Sequence, residues 1–204
     1  MGTWPLPEGF RAGPSLLLAK YFSSFDLTPA MLVALTGTPG TGKSTAGELM
    51  RSGRTVIELS ELVRMGKVST VLDRQRDSLE VDTDELDEAV RKELAGRDAL
   101  LVGHLSHFLS VDLIIVLRCR PSVLASRLRA RGWPERKVRE NIEAEGCDVI
   151  LVESVDSGRE VVEIDTTELT AERTTSAIEE ILAGEREKYA VGHVDWSDEV
   201  MSWF

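Results

Sequence analysis

Five short apolar runs alternate along the chain with longer segments in which apolar residues recur every three or four positions. The short runs have the length of strands, and the longer segments have the periodicity of helices with one buried face. Such alternation is typical of a parallel sheet with helices on both faces, so the pattern predicts an α/β fold. The predicted strands are 31–36, 54–58, 98–103, 112–118 and 160–165, and the predicted helices are 42–52, 59–65, 84–95, 121–131, 135–155 and 170–189.

Both ends of the chain depart from this alternation. Residues 1–30 are rich in Pro, Gly and Ser and show no clean period, which predicts a weakly ordered extension before a core at 31–189. Translation starting at Met31 is an alternative explanation. Residues 190–204 contain two Trp and a Phe. We expect them to form an arm that docks on the domain or on a partner.

The composition narrows the possible function classes. A chain of 204 residues with 42% hydrophobic residues fits one domain with a sizeable core. The net charge of −11 argues against a broad nucleic-acid-binding surface. Two cysteines cannot build a disulfide framework, and no apolar run reaches the length of a membrane span. We therefore expect a cytoplasmic protein.

Residues 37–44 read GTPGTGKS and match G-x-x-x-x-G-K-[ST] at every fixed position. The motif follows a predicted strand and opens a predicted helix, which is the context of a phosphate-binding loop. Glycines let backbone N–H groups point at phosphate oxygens, and the positive end of the helix adds to that field. We expect Lys43 to reach the β- and γ-phosphates, Ser44 to ligate Mg²⁺ and Thr45 to approach the α-phosphate. The loop predicts binding of a nucleoside triphosphate.

Further features separate the classes of phosphate-loop protein. The chain lacks the [NT]-K-x-D and D-x-x-G motifs of GTPases, and it is too short for a large motor ATPase. Its length suits a small nucleoside monophosphate kinase, in which Arg64, after the second strand, would hold the acceptor phosphate. The basic segment SRLRARGWPERKVREN is typical of a mobile lid. Its Arg127 and Arg131 are four apart and share a predicted helix face.

The basic segment concentrates positive charge in an acidic protein. Five Arg and one Lys fall within residues 127–139, with Glu135 the only acid among them. Crowded like charges repel unless an anion neutralises them, which favours phosphate binding over a solvated helix face. We expect Lys43, Arg127 and Arg131 to neutralise the transferring phosphoryl group. A single arginine in that position can raise the rate of phosphoryl transfer by about 10³–10⁵-fold.

Several stretches together resemble a known family. LTGTPGTGKST, LRCRPSVLASRLRARGW, KVRENIEAE and EIDTT are similar to the adenylate-kinase-like ATPases of ribosome biogenesis, known as adenylate kinase isoenzyme 6 or CINAP-type proteins, and GHLSH resembles their archaeal branch. The likeness runs from about Met31 to VDWSDE near the C-terminus. It implies a P-loop NTPase fold of the nucleoside monophosphate kinase kind, with a five-stranded parallel sheet, a monophosphate-binding segment at 58–81 and a lid at 130–140.

The resemblance also implies an activity and partners. These are Mg²⁺-dependent phosphorylation of AMP by ATP with broad nucleotide tolerance, ATPase activity, maturation of small-subunit ribosomal RNA, and transient binding to a platform ribosomal protein of the S11 type. Arg131 corresponds to the lid arginine that contacts ATP, and Arg64 to the acceptor-phosphate arginine. Ser60 and Glu61 depart from the G-D-L-x-R motif of eukaryotic members. The corresponding ATP-loop residues are Gly40, Gly42, Lys43, Ser44 and Thr45.

The stretch LLVGHLSHFL, residues 100–109, carries two of the three histidines. Zinc would need three or four protein ligands, and no further candidates cluster with this pair. In phosphate-loop proteins the strand here often ends in an acidic residue that holds magnesium, but this chain has Val102. His104 matches the family's histidine facing the phosphate loop. We expect it to orient the γ-phosphate or an attacking water or to couple the site to a partner, with a strand-capping role as the alternative; His107 stays open between function and structure.

Two hypotheses of function stay open. The first is an enzyme that converts ATP and AMP to two ADP, with slow ATP hydrolysis as a second activity. The second is an assembly factor whose ATP cycle switches its grip on a basic ribosomal protein, to which an acidic surface is complementary. Transfer to a different small acceptor also stays open, because acceptor choice depends on the shape of the pocket.

Overall fold

The computed structural model describes residues 30–51, 53–73 and 78–204, and the predicted N-terminal extension falls almost wholly outside them. Five parallel strands form the main sheet in the order β2-β5-β1-β6-β7, which confirms the predicted α/β fold. An antiparallel hairpin, β3-β4, lies apart from it. The strands are β1 (Leu32–Gly37), β2 (Val56–Glu58), β3 (Thr70–Asp73), β4 (Ser78–Val81), β5 (Ala99–Val102), β6 (Leu113–Arg118) and β7 (Glu160–Asp165).

The helices mostly follow the predicted segments. They are α1 (Lys43–Met50), α2 (Leu59–Arg64), α3 (Thr83–Leu94), α4 (Pro121–Ala130), α5 (Glu135–Gly146), α6 (Val149–Asp156), α7 (Ala171–Leu182) and α8 (Ser197–Met201), with 3₁₀ turns at Ser106–Phe108 and Glu187–Tyr189. Within the described part of the chain, none of them combines the length and apolar character needed to cross a bilayer.

Two of the predicted helices are too long. The single helix predicted at 135–155 is wrong, because α5 ends at Gly146 and Asp148 adopts a left-handed φ of 55° before α6 begins. A residue in that conformation cannot continue a right-handed helix. The helix predicted at 170–189 ends at Leu182, and Gly184 follows with φ of 103°. The apolar period continues through both breaks, which is why it did not reveal them.

Each face of the sheet carries its own hydrophobic core. Along β1, Val33 and Leu35 point to one face and Ala34 to the other, as alternation along a strand requires. The first face packs on α1 and α7, and the second packs on α2, α3 and α6. All six residues of β6 are buried, as expected of a central strand covered on both sides.

The C-terminal residues dock against the domain, one of the two arrangements expected for them. Backbone N–H groups of Gly192, His193 and Val194 donate to the buried carboxylate of Glu163 on β7. The Glu199 carboxylate accepts from the backbone N–H and hydroxyl of Ser122 at the start of α4. These contacts hold the arm beside α4 and β7.

Candidate functional site

The loop between β1 and α1 has the backbone of a phosphate cradle. Gly37, Gly40 and Gly42 have φ of 134°, 98° and 105°, values that residues with a side chain rarely adopt. At Gly37 a Cβ atom would also lie 2.3 Å from the carbonyl oxygen of Leu117 on β6. Helix α1 begins directly after Gly42, so its N-terminal N–H groups face the cradle. The curled loop and the helix end together suit a bound anion.

Lys43 crosses the inside of this loop. Its ammonium donates to the carbonyl oxygens of Gly37 at 2.6 Å and Thr38 at 3.0 Å. Burial lowers the pKa of Lys43 to about 8, because a charged ammonium loses its hydration there, and the nearby carboxylates of Glu145 and Glu58 oppose that shift. A phosphate group beside the ammonium would stabilise its charge further.

A cleft of about 750 Å³ opens beside the loop at the carboxyl ends of β2 and β5. In open parallel sheets this edge is where ligands bind. Thr70, Leu79 and Val81 of the β3-β4 hairpin contribute to an apolar wall, and Leu86 of α3 adds to it. Most of the predicted site residues line the cleft, namely Gly40, Gly42, Lys43, Ser44, Thr45, Arg64, His104 and Arg131.

Glu58 joins these residues although it has no assigned role in the sequence-based prediction. The Ser44 hydroxyl donates to its carboxylate at 2.8 Å. Burial raises the pKa of Glu58, and the bond from Ser44 and the charge of Lys43 oppose that shift. A hydroxyl and a carboxylate are hard oxygen donors of the kind that magnesium takes alongside water and phosphate oxygens. The donor set therefore fits the cation that accompanies ATP.

Arg64 and Arg131 approach the cleft from different elements. Arg64 is the last residue of α2, and Arg131 follows the end of α4. Both are exposed and line the cleft together with Lys43. Three positive side chains thus converge on one cavity, which suits a ligand carrying several phosphates.

The rest of the basic segment is partly neutralised from within. Arg129 pairs with Glu135 at 2.5 Å, and Arg136 pairs with Glu140 at 2.6 Å. Glu140 lies just beyond the stretch in which the positive charges were counted. Internal pairing therefore accounts for part of the cluster that sequence reasoning ascribed to a bound anion.

Arg127 does not line the cleft. Its guanidinium donates to the backbone carbonyl oxygens of Thr166 at 2.7 Å and Thr167 at 3.2 Å, in the turn after β7. These bonds fix α4 against that turn. In this arrangement Arg127 is held away from the cavity in which it was expected to neutralise the transferring phosphoryl group, whereas Arg131 lines that cavity.

The two histidines have different surroundings. His104 lines the cleft, where partial desolvation and the charges of Lys43 and His107 lower its pKa. His107 is buried, with Nδ1 2.9 Å from the hydroxyl of Thr36 and Nε2 3.2 Å from the carboxylate of Glu153. A neutral imidazole protonated on Nε2 satisfies both contacts. His107 thus links β1 to α6, a structural role.

The surroundings of His104 and His107 do not form a zinc site. Across residues 30–51, 53–73 and 78–204, no three His, Cys, Asp or Glu side chains gather closely enough to hold a metal ion. Of the cysteines, Cys119 is buried and Cys147 exposed, and both are free.

Glu145, near the end of α5, bonds the phosphate loop from behind. Its buried carboxylate accepts from the Thr38 hydroxyl at 2.5 Å and from Arg118 Nε at 2.9 Å. It also accepts from the Cys119 backbone N–H at 3.1 Å and the Trp196 indole at 3.4 Å. The sequence offered only the pattern ENIEAE, in which no acidic residue stands out. Glu145 therefore connects the loop, the sheet and the C-terminal arm.

Comparison with known proteins agrees with this geometry. The chain matches the family model described as "AAA domain" over residues 33–148, from β1 to the end of α5. It is 45% identical over 177 residues to the "Putative adenylate kinase" of Archaeoglobus fulgidus, covering 83% of this chain and 94% of that protein. The chain belongs to the archaeal adenylate kinase-like family.

Other members of the family give the same result. The protein of the same description from Natronomonas pharaonis is 48% identical over 171 residues, which cover 82% of this chain and 99% of the relative. That from Methanosarcina acetivorans is 40% identical over 186 residues, covering 83% and 100%. Nearly the whole length of these relatives is therefore represented here.

Proposed function

We propose that this chain is a nucleoside monophosphate kinase that transfers the γ-phosphoryl group of ATP to AMP, giving two ADP. The observation that carries the proposal is the convergence of Lys43, Ser44, Arg64 and Arg131 on one cleft beside a phosphate loop. Relatives described as "Putative adenylate kinase" support the same reaction. The shape of the cavity selects among acceptors, so other monophosphates are tested beside AMP.

Each residue has a distinct task in this mechanism. The loop amides and Lys43 hold the β- and γ-phosphates, and Arg131 neutralises the charge that builds up on the transferring group. Arg64 holds the acceptor phosphate. Magnesium, when bound, would neutralise and orient the phosphate oxygens of ATP. No general base is required, because the phosphate oxygen of AMP is already a nucleophile at neutral pH.

His104 has a secondary place in the proposal. It lines the cleft within the electrostatic reach of Lys43. Desolvation and that positive charge favour its neutral form, which can both donate and accept a hydrogen bond. Such a side chain suits orienting the γ-phosphate or a water, and with water in place of the acceptor the same cleft would hydrolyse ATP slowly.

The experiment is a turnover screen of the pure protein with ATP and Mg²⁺ against AMP, other monophosphates and no acceptor. We expect AMP-dependent formation of ADP well above the hydrolysis seen without acceptor. Equal ADP formation with and without every monophosphate would contradict the kinase proposal.

A matched pair of variants tests the site assignment. Lys43→Ala should lower phosphoryl transfer by about 10²–10³-fold or more, because it removes a positive charge from the transferring group. Thermal unfolding should show that the variant is folded. Lys92→Ala is the control, since Lys92 is exposed on α3, away from the cleft, and pairs with Glu88 one turn away. Wild-type turnover in Lys43→Ala would refute the assignment.

The resemblance to ribosome-biogenesis ATPases supports a second proposal, in which ATP binding switches the grip on a small-subunit platform protein of the S11 type. The net charge of −11 suits a basic partner. A pull-down with that protein in ATP and in ADP tests the switch, and identical affinity in both nucleotides would count against it.

A further inference from the structure

The carboxyl end of β5 lacks the acidic residue that often holds magnesium in phosphate-loop proteins. Val102 takes that position, and its side chain is fully buried. Its Cγ2 methyl lies 3.0 Å from where a Cβ on Gly47 of α1 would be. The space between β5 and the middle of α1 is therefore filled with apolar atoms, and the side chain of Val102 offers no oxygen ligand.

The neighbouring strand offers one at the same level of the sheet. Glu58, the last residue of β2, is the register partner of Val102. Paired residues of adjacent parallel strands project from the same face, about 4.8 Å apart. Val56, two residues earlier, also points at Gly47, which places this face of β2 against α1. A glutamate side chain is one methylene longer than aspartate, so it can reach across part of that spacing.

The position of the Glu58 carboxylate agrees with this reach. It accepts a hydrogen bond from Ser44 Oγ at 2.8 Å, the hydroxyl that phosphate-loop proteins present to magnesium. An acidic side chain at the end of β5 would be expected to approach the same magnesium site beside Ser44. The Glu58 carboxylate thus lies beside the Ser44 hydroxyl, the other expected protein ligand of magnesium.

Charge adds an independent reason. Among the described residues that line the cleft, Glu58 is the only one with a carboxylate, and the charged side chains around it are Lys43, Arg64 and Arg131. A carboxylate next to a bound polyphosphate repels it, which would weaken nucleotide binding. A divalent cation between the two groups turns that repulsion into attraction.

We propose that Glu58 supplies the carboxylate of the magnesium site, directly or through a bound water, since β5 has Val102 where an acidic residue often stands. The carboxylate then comes from the end of β2, one strand across the sheet from the end of β5. This inference rests on the proposed binding of a nucleotide in the cleft, and it does not depend on which acceptor is phosphorylated.

The test measures metal binding without turnover. Mn²⁺ is titrated into the protein–ADP complex and followed by electron paramagnetic resonance, and ADP binding in EDTA is measured by calorimetry. In Glu58→Gln we expect the Mn²⁺ affinity of the ADP complex to fall about 10- to 100-fold. Metal-free ADP should bind as tightly as to wild type or more tightly, since a negative charge has been removed.

The amide of Glu58→Gln can still accept the hydrogen bond from Ser44, so the fold is expected to persist. Glu48→Gln is the matched control, because Glu48 is on α1 but its side chain is exposed and pairs with Arg51. Unchanged Mn²⁺ affinity in Glu58→Gln would overturn the inference. So would an equal loss of metal-free ADP binding, because Glu58 would then act by shaping the loop through Ser44.

These results separate the inference from the kinase proposal. Loss of Mn²⁺ affinity in Glu58→Gln supports the inference even if no monophosphate accepts phosphate. Conversely, wild-type kinase activity combined with an unaltered Mn²⁺ affinity in the variant would remove the inference and leave the kinase proposal intact.

Discussion

Removing the carboxylate of Glu145 should destabilise the protein strongly, because four donors converge on it in a buried site. Glu145 is 3% exposed and its partner Arg118 is 1% exposed. In Glu145→Ala, the Thr38 hydroxyl, the Cys119 N–H, the Trp196 indole N–H and one edge of the Arg118 guanidinium all lose their acceptor. Breaking a buried ion pair from one side costs about 3–5 kcal/mol. We expect that loss in the free energy of unfolding.

Glu145→Gln should cost far less. Arg118 also donates to Glu163 at 3.1 Å and is paired with Asp148, so the guanidinium keeps two carboxylates when the third becomes an amide. The amide oxygen can accept from Arg118, while the Thr38 hydroxyl can reverse and accept from the amide nitrogen. Charge-assisted bonds become neutral ones, a loss of about 1–2 kcal/mol.

Urea unfolding at constant pH, extrapolated linearly to water, measures these differences. For a chain of this size, the alanine variant should also unfold on the order of 10 °C lower. Glu143→Ala, on the exposed side of the same helix, is the control and should stay within about 0.5 kcal/mol of wild type. If Glu145→Ala were no more destabilised than Glu143→Ala, the buried network would have no energetic weight and the reasoning would be refuted.

Three further predictions concern the loop, a histidine and the thiols. Gly37→Ala should lower the free energy of unfolding by more than about 3 kcal/mol, because the added methyl group meets a carbonyl oxygen and φ is unfavourable for alanine. Gly53→Ala is the control, since a Cβ there meets open space and stability should stay near wild type. Urea unfolding of both variants measures the difference. Burial holds the pKa of His107 below 6.5 against the pull of a neighbouring carboxylate, so the unfolded chain binds the proton first and stability falls as the pH drops below 6.5. His107→Asn should therefore lose less stability than wild type between pH 7.5 and pH 5, and an equal loss would contradict the assignment. Burial raises the pKa of the Cys119 thiol to about 11, so brief iodoacetamide treatment of the folded protein should alkylate Cys147 alone by mass spectrometry, and rapid alkylation of both would contradict the placement.

The fold was accessible from the sequence because its determinants are local. The buried strands are continuous apolar runs, and the phosphate loop has fixed residues at fixed spacing, so both are visible without tertiary contacts. The β3-β4 hairpin was not, since its strands Thr70–Asp73 and Ser78–Val81 mix polar and apolar residues on an exposed two-stranded ribbon. Only Leu79 and Val81 of these strands alternate with polar residues, and they face the cleft, which is too short a pattern to predict a strand pair.

The phosphate-loop residues of the site were also predictable from the sequence, whereas the acidic residues Glu58 and Glu145 that contact the loop were not. Lys43 and Ser44 follow from the motif itself. Glu58 and Glu145 meet the loop only through tertiary contacts, 14 residues from Ser44 and 107 residues from Thr38 respectively. In a chain with 35 acidic residues, nothing local distinguishes these two. Strand register and helix direction single them out.

Arg127 and Arg131 show the limit of predicting side-chain positions from helical spacing. Residues four apart share a face only while the helix continues, and α4 ends at Ala130. Arg127 lies inside the helix, and its guanidinium bonds to the carbonyl oxygens in the turn after β7. Arg131 lies one residue beyond it, where the chain turns through Gly132 with φ of 76°. Arg131 lines the cleft from that position, whereas Arg127 is held by the carbonyl oxygens, so the four-residue spacing alone does not show which of the two arginines reaches the cavity.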